Sequence, residues 1–520
     1  MQKYLYFTIF ISGMVSLAVE MSASRLLGNV FGTSNLVWAS IIGLILIYLA
    51  AGYFIGGAWA DRSPHPKTFF RILFWAAVLT AVVPVISRPV LRFAANAFDE
   101  LQLGMLLGSF LAVILLLAVP VTLLGTASPF AIRLSINDEV SRASVGRISG
   151  RIYAISTMGS FIGTFLPGLV LIPTIGTYRT FLVIAGMLLI VSIIGIWRTE
   201  GWKTALFYLW APVLLIVLLV LGFRDSDKAS TGQIYETESA YNYIQVLQQD
   251  GYTMLRLNEG QGIHSVYAAD VVNYFGPWEQ VLVAPFFNPP GYSPDSVERL
   301  AIVGLAAGTT ARQASLVYGD IAIDGFEIDP KIVTVGREYF MMNEPNLDVH
   351  VTDGRWGLEH SPYRYDIISI DAYRPPYIPA HLTTQEFFQI AHEHLTDDGM
   401  LVVNVGRAPN DRRLVNALTT TILTRFADVH IVDVPNSFNS IIFASIQPTS
   451  SDNLKANYAH LATQTGIHPL LLETMVIAID NLQPSPEATL VFTDDRAPVE
   501  WITNNMVIRF LLSPSMEALQ

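Results

Sequence analysis

Two glycines and an acid that could hold a nucleoside follow two predicted strands in the second half of the chain. The first strand, 300–304, runs into a loop in which Gly304 and Gly308 permit a tight turn and a close backbone approach. The second strand ends in Glu327, nineteen residues beyond Gly308, where an acid can hold a ribose diol. A third glycine is missing from the loop, which favours a single nucleoside over a dinucleotide.

Two further acids stand where the next predicted strands end. The third strand, 348–352, is followed by Asp353-Gly354, placed to hydrogen-bond an adenine amino group. The fourth strand, 366–371, ends in Asp371 beside a Pro-rich loop, so its carboxyl is expected in the crevice at the strand ends. The alternative for Asp371 is a turn or helix-cap aspartate. Because three other strand-end features are in register with it, we favour the functional interpretation.

Strands that alternate with helices would position these residues. Such alternation predicts a Rossmann-like, methyltransferase-type α/β domain, with a mostly parallel sheet and helices on both faces. Upstream, residues 233–285 alternate apolar with polar and break at Asp250-Gly251 and Glu259-Gly260, which predicts a small antiparallel sheet. The predicted α/β strands are 300–304, 321–327, 348–352, 366–371, 400–405, 429–434 and 441–446, with helical runs such as 330–340, 384–395 and 411–426.

Charge divides the chain into two chemically different halves. Residues 1–223 hold 14 Lys and Arg against 7 Asp and Glu, whereas the remainder holds 17 against 36. An acidic second half argues against nucleic acid as a partner, because phosphate binding depends on Lys and Arg. The chain has no cysteine, which removes disulfides, thiolate zinc sites and thiol nucleophiles, and we predict no metal site.

The basic half is predicted to be a multi-pass helical membrane module of about seven spans. Each run below is close to the roughly 20 apolar residues that a bilayer crossing needs. Small residues at four-residue spacing, Gly52-Gly56 and Gly159-Gly163, predict close helix packing in preference to a substrate channel. The predicted spans are 4–24, 36–58, 69–87, 103–125, 152–173, 178–197 and 204–223.

Two ionisable residues lie near the end of the first span. Arg25 could extend to the membrane interface, whereas Glu20 lies deeper. For Glu20, structural pairing and a role in binding a substrate are both open.

The orientation of the module has two conflicting indications. Basic residues concentrate at the N-terminus and after spans two, four and six, which by the positive-inside rule are cytoplasmic. Seven spans would then place the soluble half outside, whereas the nucleoside-type cofactor predicted for it is made in the cytoplasm. We expect a multi-pass protein of the cell membrane with a cytoplasmic soluble domain, and a miscount of one span would reconcile the two.

Four regions follow from these patterns. Residues 1–223 form the membrane module, 224–290 a linker and the small β-sheet domain, and 291–450 the nucleoside-binding catalytic domain. Residues 451–520 form a helical and acidic C-terminal segment, whose helices have no assigned role. The acids Asp494, Asp495 and Glu500 form either a solvated loop or a cluster that closes the site.

The chain resembles the spermidine synthase-like (polyamine aminopropyltransferase) family, in its subgroup with an N-terminal multi-pass membrane module. The resemblance in the soluble half runs from about 239 to 446. It rests on Ser239-Ala240-Tyr241-Asn242, the glycine loop, 326–330, Asp371, 378–383, Phe387-Phe388 and 399–404. Further matches are Ser12-Gly13, Glu20, Arg25, Gly52, Gly56-Gly57, Asp61-Arg62 and 493–500.

The resemblance implies transfer of an aminopropyl group from decarboxylated S-adenosylmethionine to an amine. That sulfonium compound (or S-adenosylmethionine) would be a co-substrate, with no cofactor tightly bound. Glu327 would hold the ribose and Asp353 the adenine, while Asp371 would accept a proton from the amine or orient it. Substrate-binding positions would be Tyr373 and Arg374. The nucleoside would also contact Asn242, His264, Gly304, Gly308 and Gly354.

Several positions depart from the family pattern. The acid that clamps the free amine of the co-substrate is replaced by Ala307, and two glutamines are replaced by Asn242 and His264. The Asp-Glu pair of the diamine pocket is reduced to Ala269-Asp270, and an acid after the catalytic aspartate has become Arg374. A cation there opposes a cationic diamine by on the order of 1 kcal/mol or more. The nucleoside half of the site is therefore intact, and the polyamine half is not.

Three functions remain open from the sequence. The first is a membrane-bound aminopropyltransferase, acting on a small-molecule amine or on an anionic or membrane-borne acceptor. The second is a polyamine-related transport or sensory protein whose α/β domain only binds ligand, and the third is an S-adenosylmethionine-dependent methyltransferase. The expected partners are the acceptor, the lipid bilayer and a second copy of the chain in a homodimer.

Overall fold

The computed structural model describes residues 2–31, 35–99, 104–136, 144–221, 230–258, 262–373 and 378–511. The chain divides into two compact units. The first comprises Met1–Ala229 with Thr237–Tyr243, and the second comprises Ser230–Glu236 with Ile244–Gln520. The four-part division expected from the sequence stays a prediction.

The first unit is entirely helical up to residue 221 within its described ranges. A π-helical turn, Pro167–Leu171, connects α6 to α7. The helices are α1 Gln2–Phe31, α2 Asn35–Arg62, α3 Pro66–Asp99, α4 Gly104–Gly125, α5 Ala127–Ser135, α6 Val145–Leu166, α7 Ile172–Glu200, α8 Trp202–Phe207 and α9 Trp210–Leu221.

Helices α1 and α6 lie backbone against backbone at two glycines. A Cβ atom on Gly159 would lie 2.0 Å from the carbonyl oxygen of Phe10, and one on Gly163 would lie 2.0 Å from that of Met14. Only glycine fits so close an approach between two helices. The predicted close packing at Gly159-Gly163 is confirmed, and Gly52-Gly56 makes the same kind of contact with the end of α4.

Six helical stretches in the described residues are long and apolar enough to cross a membrane. One of them, Val145–Glu200, is 56 residues long. At a rise of about 1.5 Å per residue it is more than twice as long as a bilayer core requires. Gly176, at φ 78° and ψ 165°, interrupts the helix within this stretch.

A short extended segment packs with the helical unit. Arg25 in α1 donates hydrogen bonds to the carbonyl oxygens of Ser239 and Tyr241, at 2.8 and 3.2 Å. In α7, Thr177 donates its backbone N–H and its hydroxyl to the carboxylate of Glu238, at 3.0 and 2.6 Å. Arg25 therefore binds backbone carbonyls within this unit. Its predicted contact with the membrane interface stays a prediction.

The second unit contains two sheets, and the predicted antiparallel sheet and α/β sheet are both present. The small sheet has the order β1-β2-β3-β4 and the large one has the order β12-β10-β11-β9-β8-β5-β6-β7. The small sheet consists of β1 Gln233–Glu238, β2 Tyr243–Gln249, β3 Tyr252–Leu257 and β4 Ile263–Tyr267. The large one consists of β5 Arg299–Val303, β6 Ala322–Glu327, β7 Leu347–Val351, β8 Tyr365–Ile370, β9 Leu395–Gly406, β10 Asp428–Asp433, β11 Asn439–Ser445 and β12 Leu482–Gln483.

The large sheet is parallel only in its first five strands. Strands β5 to β9 pair in parallel, whereas β11 is antiparallel to β9, and β10 is antiparallel to both β11 and β12. The chain adds β6 and β7 on one side of β5, and then returns to add β8 on the other side. The strand order therefore reverses between β5 and β8, and a ligand crevice forms at such a point.

Both faces of the large sheet are covered. Along β5, Leu300 and Ile302 belong to one apolar cluster, while Ala301 and Val303 belong to the other, as alternation in a strand requires. The covering helices are α10 Pro277–Gln280, α11 Thr309–Tyr318, α12 Pro330–Tyr339, α13 Gly354–Glu359, α14 Gln385–Glu393, α15 Arg413–Ile422, α16 Ser451–Leu461, α17 Pro469–Asp480 and α18 Val499–Leu511. Short 3₁₀ turns lie at Val281–Phe287, Pro294–Ser296 and Ala380–Leu382.

The C-terminal segment is part of this core. Leu454 and Leu470, from α16 and α17, join the cluster on one face of the sheet. Val499 and Ile502, from α18, join the cluster on the other face. These helices, which had no role from the sequence, therefore cover the α/β sheet.

Candidate active site

The glycine loop after β5 has the backbone that its sequence predicts. Gly304 and Gly308 have φ values of 90° and 83°, and Ala306 between them also has a positive φ of 49°. A Cβ atom on Gly304 would lie 2.6 Å from both N and Cα of Ala372, so the loop passes directly against the chain that follows β8. The loop N–H of Ala307 donates to the Ser265 hydroxyl at 2.9 Å, which ties the loop to the small sheet.

Glu327, at the end of β6, lies under this loop. One carboxyl oxygen accepts the N–H of Ala306 at 3.0 Å, and the other accepts the N–H of Asp329 at 3.0 Å. Burial raises the pKa of Glu327 to about 7, although these backbone N–H groups oppose the rise. The carboxyl is thus fixed in orientation against the glycine loop.

Asp353 lies between β7 and α13 and is the N-cap residue of α13. Its Oδ1 accepts the N–H groups of Arg355 and Trp356 at 3.0 and 3.1 Å, while its Oδ2 lies 3.0 Å from Nε2 of His381. Asp353 is thus a helix-cap aspartate. Beside it, a Cβ atom on Gly354 would lie 2.4 Å from a methyl carbon of Val303, so this turn packs on the end of β5.

Asp371 lies at the reversal of strand order, immediately after β8. Its N–H donates to the carbonyl oxygen of Val303 at 2.9 Å, and its Oδ1 accepts a hydrogen bond from Asn404 Nδ2 at 2.7 Å. The Asn404 Oδ1 in turn accepts from Asn439 Nδ2 at 2.8 Å. Burial raises the pKa of Asp371 to about 6, and the Asn404 bond lowers it. A carboxylate with such a pKa can accept a proton near neutral pH.

A cavity of about 510 Å³ opens in front of this carboxyl. Its walls come from the small sheet, the glycine loop, the ends of β8 and β9, the turn before β11, and α18. The lining residues used below are Ile263, His264, Trp278, Ala306, Asp371, Tyr373, Asn404, Arg407, Phe438, Asn439, Thr503 and Met506. This volume suits a small ligand.

Two further predicted residues, His264 and Tyr373, lie in the wall of this cavity. Burial lowers the pKa of His264 to about 4, so the imidazole is neutral at neutral pH, and its Nε2 is buried without a hydrogen-bond partner among the described residues. Burial also raises the pKa of the Tyr373 phenol above its ordinary value. Both side chains therefore present uncharged polar groups.

The structure does not bring every predicted residue to the cavity, whose described lining lacks Gly304, Gly308, Glu327, Asp353 and Gly354. Asn242 lies in a turn with Ser239, in the segment that groups with the helical unit, so its nucleoside contact stays a prediction. Arg374 lies outside the described residues. Asp494 forms a two-point ion pair with Arg355 at 2.7 Å, so this member of the acidic cluster anchors α13.

Sequence reasoning missed the residues that support Asp371. Asn404 is a polar residue near the end of an apolar strand, a signal similar to the one that identified Glu327. Asn439 and Arg407 gave no such signal, because they meet only through the antiparallel pairing of β11 with β9. The contributions of Thr503 and Met506 depend on the placement of α18 about 130 residues later in the chain.

Known proteins resemble this chain in the same region. Residues 290–455 match the spermine/spermidine synthase domain. A probable polyamine aminopropyl transferase of Bifidobacterium longum is 33% identical over 285 residues, which are 52% of this chain and 62% of that relative. The polyamine aminopropyltransferase of Vibrio vulnificus is 26% identical over 279 residues, covering 52% of this chain and 88% of that relative. A spermidine synthase structure from Thermotoga maritima has 19% identity and a TM-score of 0.39, covering 48% and 84% of the two chains.

The first of these relatives is thus matched over less than two thirds of its length. The domain match begins just before β5 and ends within α16, so it contains the glycine loop, Glu327, Asp353 and Asp371. Residues 290–455 of this chain match the spermine/spermidine synthase domain, and the similarity to polyamine aminopropyltransferases extends over about half of the chain.

Proposed function

We propose that this protein transfers an aminopropyl group from decarboxylated S-adenosylmethionine to an amine acceptor. The observation that carries the proposal is the Asp371 carboxyl, which is held by Asn404 at 2.7 Å and faces a cavity beside the glycine loop. Homology to polyamine aminopropyltransferases supports the same reaction.

In this reaction Asp371 accepts a proton from the acceptor ammonium, or orients the free amine. The amine nitrogen then forms a bond to the carbon next to the sulfonium, and that carbon–sulfur bond breaks. The electron pair goes to sulfur, so that methylthioadenosine leaves uncharged. Because the leaving group needs no protonation, positioning and amine deprotonation supply the catalysis.

The nucleoside contacts are part of the proposal. Glu327 would hold the ribose from beneath the glycine loop, and Asp353 would hold the adenine with its capping carboxylate. Gly304, Gly308 and Gly354 would allow the ligand to approach the backbone. Further contacts would come from His264, which lines the cavity, and from Asn242.

The acceptor site is proposed to include Tyr373 and Arg374. A cation at position 374 opposes a second ammonium on the acceptor. The acceptor is therefore a small amine that is not a polyamine, or an amine carried by the membrane. Because the diamine pocket also lacks one acid at Ala269-Asp270, Arg374→Asp alone should not raise the activity on putrescine, and a large gain would contradict this acceptor class.

Calorimetric titration of detergent-purified protein tests the nucleoside site. Decarboxylated S-adenosylmethionine, S-adenosylmethionine and methylthioadenosine would be compared, with Glu327→Ala as the control that loses binding. Absence of binding for all three would remove the enzymatic proposal and favour a transport or sensory protein. Preference for S-adenosylmethionine would favour a methyltransferase.

Release of methylthioadenosine tests the catalytic role. We expect Asp371→Asn to lower kcat by about 10²–10⁴-fold, the usual contribution of a general base. The nucleoside should still bind to this variant, because Asp371 is assigned to the acceptor. Undiminished turnover in Asp371→Asn would overturn the role of this carboxyl.

We also propose that residues 1–223 are a membrane module with seven crossings, followed by the β-sheet domain to 290, the catalytic domain to 450 and the C-terminal segment. The apolar helices support the module, and the break at Gly176 supports two crossings within 145–200. The catalytic domain is placed in the cytoplasm, where its co-substrate is made. With seven crossings this leaves the N-terminus and the basic loops outside, against the positive-inside rule, whereas six crossings would satisfy both.

A further inference from the structure

The described lining of the cavity in front of Asp371 contains one group of each charge. Among the described residues that line it, Asp371 is the only carboxylate and Arg407 is the only permanent cation. His264 adds no charge at neutral pH, because burial lowers its pKa to about 4. Much of the remaining wall is apolar, with Trp278, Phe438 and Met506 among its members.

The charge of Arg407 is only partly satisfied within the protein. Its Nε lies 3.3 Å from Oδ1 of Asp433, yet it has no hydrogen-bond partner among the described residues. Asp433 is already engaged by Arg412, which donates to both carboxylate oxygens at 2.7 and 3.0 Å, and by the Ser440 hydroxyl at 2.6 Å. The Asp433 carboxylate thus faces two guanidinium groups, so these three side chains together carry a net positive charge.

Arg407 is the member of this group that lines the cavity in front of Asp371, so the excess charge reaches the cavity wall. The Arg407 side chain is only 13% exposed, so its charge is poorly screened by solvent. Its remaining contact is a 3.4 Å hydrogen bond to the Ser437 carbonyl oxygen. A guanidinium with spare donors binds carboxylate or phosphate oxygens, and it repels an ammonium.

We propose that the acceptor is a primary amine that also carries an anionic group, and that Arg407 binds that anion while Asp371 receives the amine. The inference rests on the proposed aminopropyl transfer and names the class of its acceptor. A diamine would place its second ammonium in a cavity that offers it no second carboxylate among the described lining residues. Arg407 is in this way the residue that sets specificity.

A pair of acceptors of equal length tests the inference. Putrescine and 4-aminobutyrate share a reacting primary amine and a short methylene chain, and differ in having an ammonium or a carboxylate at the far end. We expect kcat/KM for 4-aminobutyrate to exceed that for putrescine by at least tenfold. In Arg407→Glu the ratio should fall by at least a hundredfold.

A matched control separates the charge of the cavity from the charge of the protein. Arg413, which pairs with Asp411 at 2.6 Å, is close in sequence but does not line the cavity. Arg413→Glu, which changes the net charge of the protein by the same amount as Arg407→Glu, should leave the ratio of the two acceptors unchanged. A wild-type preference for putrescine, or a ratio that Arg407→Glu does not change, would overturn the inference.

Binding measurements distinguish failure of this inference from failure of the reaction. With methylthioadenosine present, calorimetry should show that 4-aminobutyrate binds more tightly than putrescine, and that Arg407→Glu reverses the order. This order without release of methylthioadenosine would uphold the anion site and contradict the transferase. Release of methylthioadenosine without tighter binding of 4-aminobutyrate would uphold the transferase and contradict the anion site.

The anion could belong to a free amino acid or to a lipid headgroup. Phosphoethanolamine in solution and phosphatidylethanolamine in vesicles present the same amine and phosphate, and pure phosphatidylcholine vesicles serve as the blank. Modification of the vesicle lipid alone would identify a membrane-borne acceptor. Modification of the soluble compounds alone would identify a free one. If no anionic amine reacts or binds, the proposed class is wrong.

Discussion

The carboxyl of Asp371 is oriented by a chain of two amides. Asn439 donates to Asn404 at 2.8 Å, and Asn404 donates to Asp371 at 2.7 Å. Because the amide of Asn404 can donate only from its nitrogen, the bond fixes which oxygen of Asp371 remains free for the acceptor. The hydrogen bond from Asn404 also favours the ionised form of the carboxyl.

The pH dependence of the reaction should report this bond. Asp371 must be ionised to accept a proton, so activity should rise with pH through its pKa of about 6. Asn404→Ala removes a bond that lowers this pKa, and the acid limb should therefore move to higher pH, by roughly one unit. The kcat/KM profile measures the shift.

Asn439→Ala is the control for that prediction. It leaves the Asn404 bond to Asp371 in place, so its shift should be in the same direction and smaller. An acid limb that stays fixed or moves to lower pH in Asn404→Ala would show that the amide does not stabilise the carboxylate.

The positions of the acids of the candidate site could be predicted from the sequence, whereas that of Arg407 could not. Each predicted acid lies at or directly after the end of its predicted strand. Parallel strands bring their carboxyl ends to one edge of the sheet, so this position in the sequence could predict the edge at which the acids lie. Arg407 could not be found in the same way, since its charge matters only through Asp433 and Arg412, which lie on other elements. The roles assigned to the acids remain proposals.

At the scale of elements, the glycine loop and the chain after β8 share one narrow space. Gly304 has a φ of 90°, and its hydrogen atoms are all that fits against Ala372. The loop that would hold the nucleoside therefore also determines where Asp371 lies. A change in one of these two segments must displace the other.

Gly304→Ala should lower both stability and activity. The positive φ alone costs a non-glycine residue about 1–2 kcal/mol, and the collision with Ala372 adds roughly 1–3 kcal/mol. Thermal unfolding of the purified protein and release of methylthioadenosine measure the two effects.

Gly466→Ala is the matched control. Gly466 has a φ of 93°, yet a Cβ atom there would have no neighbour within 4 Å. It should show the backbone cost alone and full activity. Equal loss of stability in the two variants would mean that the loop and the chain after β8 can move apart freely.

Strand and helix types were predictable here because the periodic patterns are long. Strands β5 to β9 lie where the apolar runs end in glycine or acid, and the observed bounds differ from the predicted ones by a few residues at most ends. The antiparallel pairing of β10 to β12 was not predicted, since the apolar run of a buried strand carries no direction. The packing of α16 to α18 on the sheet depends on contacts that are distant in sequence.

At the scale of the molecule, the count of membrane crossings decides which side each loop faces. Ser63 lies between α2 and α3, and Lys203 lies in α8 after the 56-residue stretch. If that stretch crosses twice, these two residues face the same side. If it crosses once, they face opposite sides.

Single cysteines should place Ser63 and Lys203 on the same side. The natural chain has no cysteine, so Ser63→Cys and Lys203→Cys need no background removed, and the unchanged protein is the blank. A membrane-impermeant maleimide applied to intact cells and to opened vesicles reads the side. Opposite labelling of the two would contradict seven crossings, and outside labelling of Lys455→Cys would contradict a cytoplasmic catalytic domain.

The cavity wall formed by α18 has a consequence during protein synthesis. Met506 and Thr503 line the cavity with Asp371, so a ribosome must add 135 more residues after Asp371 before Met506 exists. At roughly 5–20 residues per second, that interval is about 7–27 s. Throughout it, the nascent chain carries its carboxyl without the wall that completes the cavity, and a chain released before residue 499 lacks that wall altogether.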